Sequence, residues 1–210
     1  MTIALSNAPT QVCAPGLIEG KTSFTYYAGA TRIPESSSAN VKNRSHTITA
    51  TIEMPKQGGD GVLVAAGGLV GGYALYVKGR RPAYEYNWFS QSHYKVTSLQ
   101  PLPEGPTTIR VEFLSDGGVG KGGKIVLYVN DKKVGEGRVD QTVPGRFSAD
   151  ETFDIGMDTG SPVSKDYKSP NTFTGKIKRV TFDLAPIEPA TRGEIEKLER
   201  EVKFRKAMSD

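Results

Sequence analysis

Cysteine is nearly missing from this chain. Cys13 stands alone among 210 residues, which excludes an internal disulfide framework and a cysteine-ligated zinc site. Histidine is almost as scarce: His46 and His93 are the only two, too few for a histidine-rich metal centre. Long apolar runs are lacking, so no stretch reads as a membrane span. The start, Met1-Thr2-Ile3-Ala4-Leu5, has neither the basic residues nor the apolar core of a secretory signal, and the default expectation is a cytosolic chain with no membrane partner. A charge excess of one sign is also lacking. The net charge is only +4, and basic residues are interspersed with acidic ones except at Lys176, Lys178, Arg179 and at Lys203, Arg205, Lys206. A nucleic-acid binder concentrates charge on one face, so nucleic acid is not expected as a partner.

What is present is strand signal. With 37% hydrophobic residues, 24 glycines and 13 prolines, the chain can build one substantial core with many corners. Short alternating runs recur between residues 47 and 184, among them Gly61-Val62-Leu63-Val64-Ala65, Tyr73-Ala74-Leu75-Tyr76-Val77, Thr108-Ile109-Arg110-Val111-Glu112-Phe113 and Ile125-Val126-Leu127-Tyr128-Val129. His46 to Glu53 alternates strictly and ends at Met54-Pro55. Turn signals between such runs predict an all-β fold, a sandwich of two packed antiparallel sheets. Asn130-Asp131 marks a tight hairpin. The glycine stretch 116–123 lacks Walker spacing, because Lys121 is followed by Gly122 and no helix follows; it reads as a hairpin corner. Only the tail reads as helix, over about residues 191–207. Thr191 and Glu194 have capping-box spacing, and Ile195, Leu198 and Val202 form a stripe expected to dock on the sandwich or on a second copy of the chain. The expected organisation is an N-terminal arm over 1–21, a sandwich over 22–186 and a helical tail over 187–210.

Candidate binding residues follow from strand alternation. Tyr84, Tyr86 and Trp88 share one face and are expected in the core, with Trp88 near the strand end partly exposed. Glu85 and Asn87 then point the other way. With His93, Arg110 and Glu112 they could line a polar concave face that binds sugar through hydrogen bonds, although solvated cross-strand ion pairs would give the same pattern. The ligand-binding candidates are therefore Glu85, Asn87, Trp88, His93 and Arg110. Asp150, Glu151, Asp154 and Asp158 cluster in sequence, but turn and cap roles are expected for them rather than calcium ligation. No Glu-x-Asp-x-Glu alternation places a carboxylate pair on one strand face. No catalytic residue, metal ligand or cofactor is assigned.

Several stretches carry a resemblance. They are Thr22-Ser23-Phe24-Thr25-Tyr26-Tyr27, Arg32-Ile33-Pro34-Glu35, Val41-Lys42-Asn43-Arg44-Ser45, the run from Gly61 to Gly68, the run from Gly71 to Val77, Tyr86-Asn87-Trp88-Phe89, Gly120-Lys121-Gly122-Gly123, Phe147 to Thr152, Asp154 to Val163 and Phe173 to Ile177. Together they make roughly residues 20–185 resemble the non-catalytic carboxy-terminal β-sandwich of large bacterial arylsulfatases, which implies a two-sheet antiparallel jelly roll of the concanavalin A-like kind. The catalytic pattern of that family, Cys/Ser-x-Pro-x-Arg, is not met. Cys13-Ala14-Pro15-Gly16-Leu17 has leucine where the arginine is required, and no carboxylate cluster accompanies it. The resemblance implies a non-enzymatic accessory domain whose partner is a sulfatase-like catalytic chain or a second copy; the alternative is a free-standing carbohydrate-binding module.

Overall fold

The computed structural model describes residues 20–209. Cys13 and its neighbours, with most of the expected arm, lie outside the described residues. Among those described, twelve strands build two six-stranded antiparallel sheets. The first sheet runs, in spatial order, β1 (Ser23–Tyr26), β12 (Lys176–Leu184), β3 (His46–Met54), β8 (Gly105–Ser115), β9 (Lys121–Val129) and β10 (Lys132–Gln141). The second runs β2 (Ile33–Pro34), β11 (Thr152–Ile155), β4 (Gly61–Gly67), β5 (Gly72–Lys78), β6 (Arg81–Trp88) and β7 (Ser92–Thr97). This is the expected two-sheet sandwich of the jelly-roll kind. Strands β4 to β7 and β8 to β10 follow as hairpins, whereas β12 between β1 and β3, and β11 between β2 and β4, bring together segments far apart in sequence.

The core lies between the sheets and follows from the period of two. Along β3 every second residue is buried, from His46 through Ile48, Ala50 and Ile52 to Met54. In the paired register Ile48 stands opposite Val111, and Val111 opposite Leu127, so one apolar layer crosses three strands. The second sheet contributes Leu63, Val64, Tyr73, Leu75, Tyr84 and Phe153 to the same cluster. A bulge between Val62 and Val64 lets Leu63 and Val64 both join that cluster, and it shifts the phase of β4. Tyr84 and Tyr86 are core residues and Trp88 is half-buried at the end of β6, as the alternation predicts.

Corners behave as their residues dictate. Asn130 and Asp131 both take positive φ, 47° and 62°, at the β9–β10 hairpin. At Gly72, φ is 151° and a Cβ would come within 2.0 Å of the Ala66 carbonyl oxygen, so only glycine fits where β4 and β5 meet. The polar stretch 34–40 contains one turn of 3-10 helix at Glu35–Ser37.

Helix α1 (Pro189–Ser209) starts two residues earlier than expected, with proline in the first turn where its missing N–H costs nothing. Thr191 is therefore inside the helix and is not its cap. Its Oγ1 accepts the Gly118 N–H at 2.9 Å, and Glu194 accepts the Val119 N–H at 2.9 Å. The pair read as a capping box ties the helix to the glycine corner between β8 and β9. Beyond Ile195 the helix leaves the sandwich. Leu198 and Val202 are exposed, so within the chain the expected docking of that stripe does not occur.

Candidate functional site

The outer faces of the two sheets decide where a ligand could sit. On the second sheet, β4 and β5 are apolar on both sides: Val62, Ala65, Ala74 and Tyr76 point away from the core yet are buried. Segment 157–170 lies over them, with Val163 and Tyr167 packed into the same cluster. Burial of such a face in water requires a cover, and the chain supplies its own.

Glu85 and Asn87 do point to that outer face, as the alternation of β6 predicts, but they are not open to a ligand. Glu85 is 4% exposed and Asn87 is fully buried. Glu85 accepts the Ser164 hydroxyl at 2.5 Å and lies 2.7 Å from Nδ1 of His93 and 3.1 Å from the Tyr76 hydroxyl. The amide nitrogen of Asn87 donates to the carbonyls of Gly68 and Leu69 at 3.0 and 2.9 Å and faces that of Val163 at 3.4 Å. Its carbonyl oxygen accepts the Ser90 N–H at 2.9 Å. Both side chains spend their hydrogen-bonding capacity on holding segment 157–170 and the neighbouring turns. A buried carboxylate and amide persist only when satisfied in this way. The expectation of an open polar groove at Glu85 and Asn87 is thus corrected, because a covering segment distant in sequence seals it.

The cluster is also wired wrongly for nucleophilic catalysis. Ser164 gives its proton to Glu85, and His93 meets the far oxygen of the same carboxylate, so no imidazole stands ready to deprotonate the serine. The acidic group behind the cover has similar duties. Asp154 accepts the Arg32 N–H and, from the Thr159 N–H and hydroxyl, two bonds at 3.2 and 2.9 Å. Glu151 accepts the Ser161 N–H and hydroxyl. Asp158 accepts the Tyr167 hydroxyl at 2.6 Å, and burial pushes its carboxyl above the ordinary aspartate range. These oxygens face N–H and O–H donors, which a cation would have to displace. Among the described residues no group of three or more His, Cys, Asp or Glu side chains is arranged to hold a metal ion.

Two further candidates fall elsewhere. Trp88 shares the inner face with Tyr84 and Tyr86 and packs against Phe89 with ring centroids 5.5 Å apart. Arg110 belongs to β8, so it stands on the other sheet from Glu85, Asn87 and His93 and cannot share a site face with them.

Arg110 does mark the face that stays open. Among the described residues no segment covers the outer side of the first sheet. Register places Thr25, Thr181, Thr49, Arg110 and Tyr128 side by side across five strands, β1, β12, β3, β8 and β9. The next row holds Ser23, Asp183, Thr47, Glu112 and Val126. The Arg110 guanidinium lies 4.1 Å over the Tyr128 ring, contacts Glu112 and reaches Asp131 at 3.4 Å. At one end the face deepens into a depression of about 380 Å³ lined by Ser23, Thr47, Glu112 and Asp183, among others. Hydroxyls, one aromatic ring and charges of both signs are the functional groups that hydrogen-bond and stack on polyols. Thr47, Thr49 and Tyr128 were not singled out from sequence, although the alternation of His46 to Glu53 already put the threonines opposite the core.

No family model matches the chain, and no curated protein matches it. Among solved structures it is similar to the CBM40 domain of the Ruminococcus gnavus IT-sialidase, with TM-score 0.45, 14% identity, and coverage of 79% of this chain and 92% of that one. It is also similar to domains LG4-5 of the mouse laminin alpha1 chain (TM-score 0.44, 13% identity, 79% of this chain and 40% of that one). A third is domain 4 of AbnA, a GH43 extracellular arabinanase from Geobacillus stearothermophilus, in complex with arabinotriose (TM-score 0.47, 15% identity, 72% and 66%). None of these three is an arylsulfatase domain. At such identities and TM-scores they do not bear on what this chain binds. Among the described residues no helix is long and apolar enough to cross a membrane.

Proposed function

We propose that this chain is a non-catalytic β-sandwich module that binds carbohydrate on the open outer face of its first sheet. The observation that carries this reading is the contrast between a sealed face and an uncovered one paved with Thr25, Thr181, Thr49, Arg110 and Tyr128. Hydroxyl and guanidinium donors there can meet sugar hydroxyls, and the Tyr128 ring offers a stacking edge. Screening of the purified chain against an oligosaccharide array, followed by calorimetry on the hits, tests it. Tyr128→Ala should weaken any hit by at least about tenfold, as loss of one hot-spot contact does. An unchanged Kd in Tyr128→Ala would remove this face as the site.

A second reading is that of an accessory domain that joins a partner: a sulfatase-like catalytic chain, as the sequence resemblance implies, or a second copy. It is favoured by helix α1, which leaves the sandwich with Leu198, Val202, Phe204 and Met208 exposed. A helix of this kind gains stability from burying an apolar face. Light scattering on the full chain and on a truncation after Leu184 checks it. A dimer that becomes a monomer on truncation supports assembly through α1, and a monomer in both cases argues against self-assembly.

A further inference from the structure

Beside the N-terminal end of α1 lies a cleft of about 410 Å³ between the edge of the first sheet and the segment that leads into the helix. Lys21, Arg44 and Arg192 line it together with the apolar side chains of Phe24, Leu184 and Ile187. Among the described residues no carboxylate lines it. Two arginines on the first sheet are matched by carboxylates, Arg110 with Glu112 and Asp131 and Arg138 with Asp116 and Asp140. Arg44 and Arg192 have no salt bridge among the described residues. Arg44 in addition keeps a buried Nε with no hydrogen-bond partner.

We propose that this cleft is a binding site for a compact ligand that bears an oxyanion (a carboxylate, sulfate or phosphate) beside an apolar edge. Two guanidiniums held in one cleft repel each other, and a buried donor without an acceptor is costly. An oxyanion relieves both at once through charge-assisted hydrogen bonds, for which the planar guanidinium is well suited. Burial, with the charge of Arg192 beside it, draws the Arg44 guanidinium below its ordinary range, the direction expected of a cation lacking its anion. The cleft is also held in shape before any ligand arrives. Arg192 sits one residue from Thr191, which accepts the Gly118 N–H, and the Arg44 carbonyl meets Nδ1 of the buried His46 at 3.2 Å. Such preorganisation lowers the ordering cost of binding. The volume suits a single ring with its substituents. This site is separate from the Thr49–Tyr128 face and stands whether or not that face binds sugar.

The full chain is titrated with sulfate, phosphate and glucuronate against chloride at matched ionic strength, with melting temperature and calorimetry as readouts. At least one oxyanion is expected to raise the melting temperature beyond the chloride control and to give a measurable Kd. A response to glucuronate alone assigns a carboxylate ligand, and a response to sulfate or phosphate assigns a tetrahedral one. Arg192→Gln, at an exposed position that should not endanger folding, should weaken that binding by at least about tenfold. Without anion the same variant should melt at or above the wild-type temperature, because a repulsion is removed. Arg200→Gln, farther along the helix, should leave the affinity unchanged. Failure of all three oxyanions to exceed chloride would overturn the proposal, and so would an Arg192→Gln variant that binds as tightly as wild type.

Discussion

Outside β4 and β5 lie Val62, Ala65, Ala74 and Tyr76, buried beneath segment 157–170, whereas outside β3 and β12 lie Thr47, Thr49 and Thr181 with no segment above them among the described residues. The two sheets share one core, so the difference arises wholly from their outer residues. An apolar outer face must be covered, and once covered, any polar side chain on it has to be satisfied internally. Glu85 and Asn87 became anchors of the cover for that reason, while Arg110 and Glu112, with the same alternating placement on the other sheet, stay within reach of solvent. A polar residue opposite the core is thus evidence of a ligand face only where nothing lies over it.

The largest expected effect tests what the two sheets have in common. Phe113 is buried between them and stacks on His46 with ring centroids 5.1 Å apart. Phe113→Ala should lower unfolding free energy by about 3–5 kcal/mol, as large-to-small core changes do. Denaturant titration measures this, and a loss below about 1 kcal/mol would show that the core tolerates the cavity without the assumed packing.

Next in size is an effect of pH that belongs to the first sheet alone. His46 is buried, and burial draws its imidazole down to about 4; the hydrogen bond to the Arg44 carbonyl opposes this in part. In the unfolded chain it titrates near about 6.5. Above that pH both states are neutral and the stability is fully present. As pH falls the unfolded state takes up the proton first, so stability declines down to about pH 4, where the folded state protonates as well. The whole drop amounts to about 3 kcal/mol. His46→Phe should flatten this part of the profile, measured as the difference from wild type so that carboxylate titrations common to both cancel. Parallel profiles between pH 7 and about 4 would mean that the imidazole is not buried in solution.

A somewhat smaller effect probes the cover. Glu85→Ala leaves the Ser164 hydroxyl and His93 without their acceptor and should cost about 2 kcal/mol, with Glu85→Gln recovering part of it. Loosening of segment 157–170 should then appear as faster amide exchange at Val163 and Ser164, while exchange in β8 and β9 stays slow. Uniform exchange changes across both sheets would indicate that the cover is no separate unit.

The sandwich, the inward aromatics of β6, the Asn130-Asp131 hairpin and the strict alternation of β3 were legible because each depends on local period or turn chemistry. The seal was not, since it joins residues 62–87 to 157–170 across the chain. One signal was nonetheless available. Gly61 to Gly67 contains no polar side chain at all, and such a run marks a strand covered on both faces rather than one that alternates. Placing Arg110 with Glu85 failed for a different reason. Alternation fixes which side of a strand a residue occupies but not which sheet the strand joins, and β8 pairs with β3 and β9 instead of β6. Thr191 and Glu194 had the correct spacing for a cap, yet the helix began at Pro189, and the same side chains found the glycine corner instead.

The smallest expected effect on stability is the sharpest separation of the two faces. Thr49 stands in the middle of the open row between Thr181 and Arg110, and among the described residues its hydroxyl has no protein hydrogen-bond partner. Valine has nearly the same shape and an equal taste for strands, so Thr49→Val should change unfolding free energy by no more than about 0.5 kcal/mol. If the open face holds a polyol, the same substitution removes a donor and acceptor from the site and should weaken the bound oligosaccharide severalfold at unchanged stability. Glu85→Ala should do the reverse, lowering stability while leaving that affinity intact. A Thr49→Val chain that binds as wild type, alongside a Glu85→Ala chain that loses binding in proportion to its loss of fold, would move the ligand from the open sheet to the sealed one and undo the assignment of the two faces.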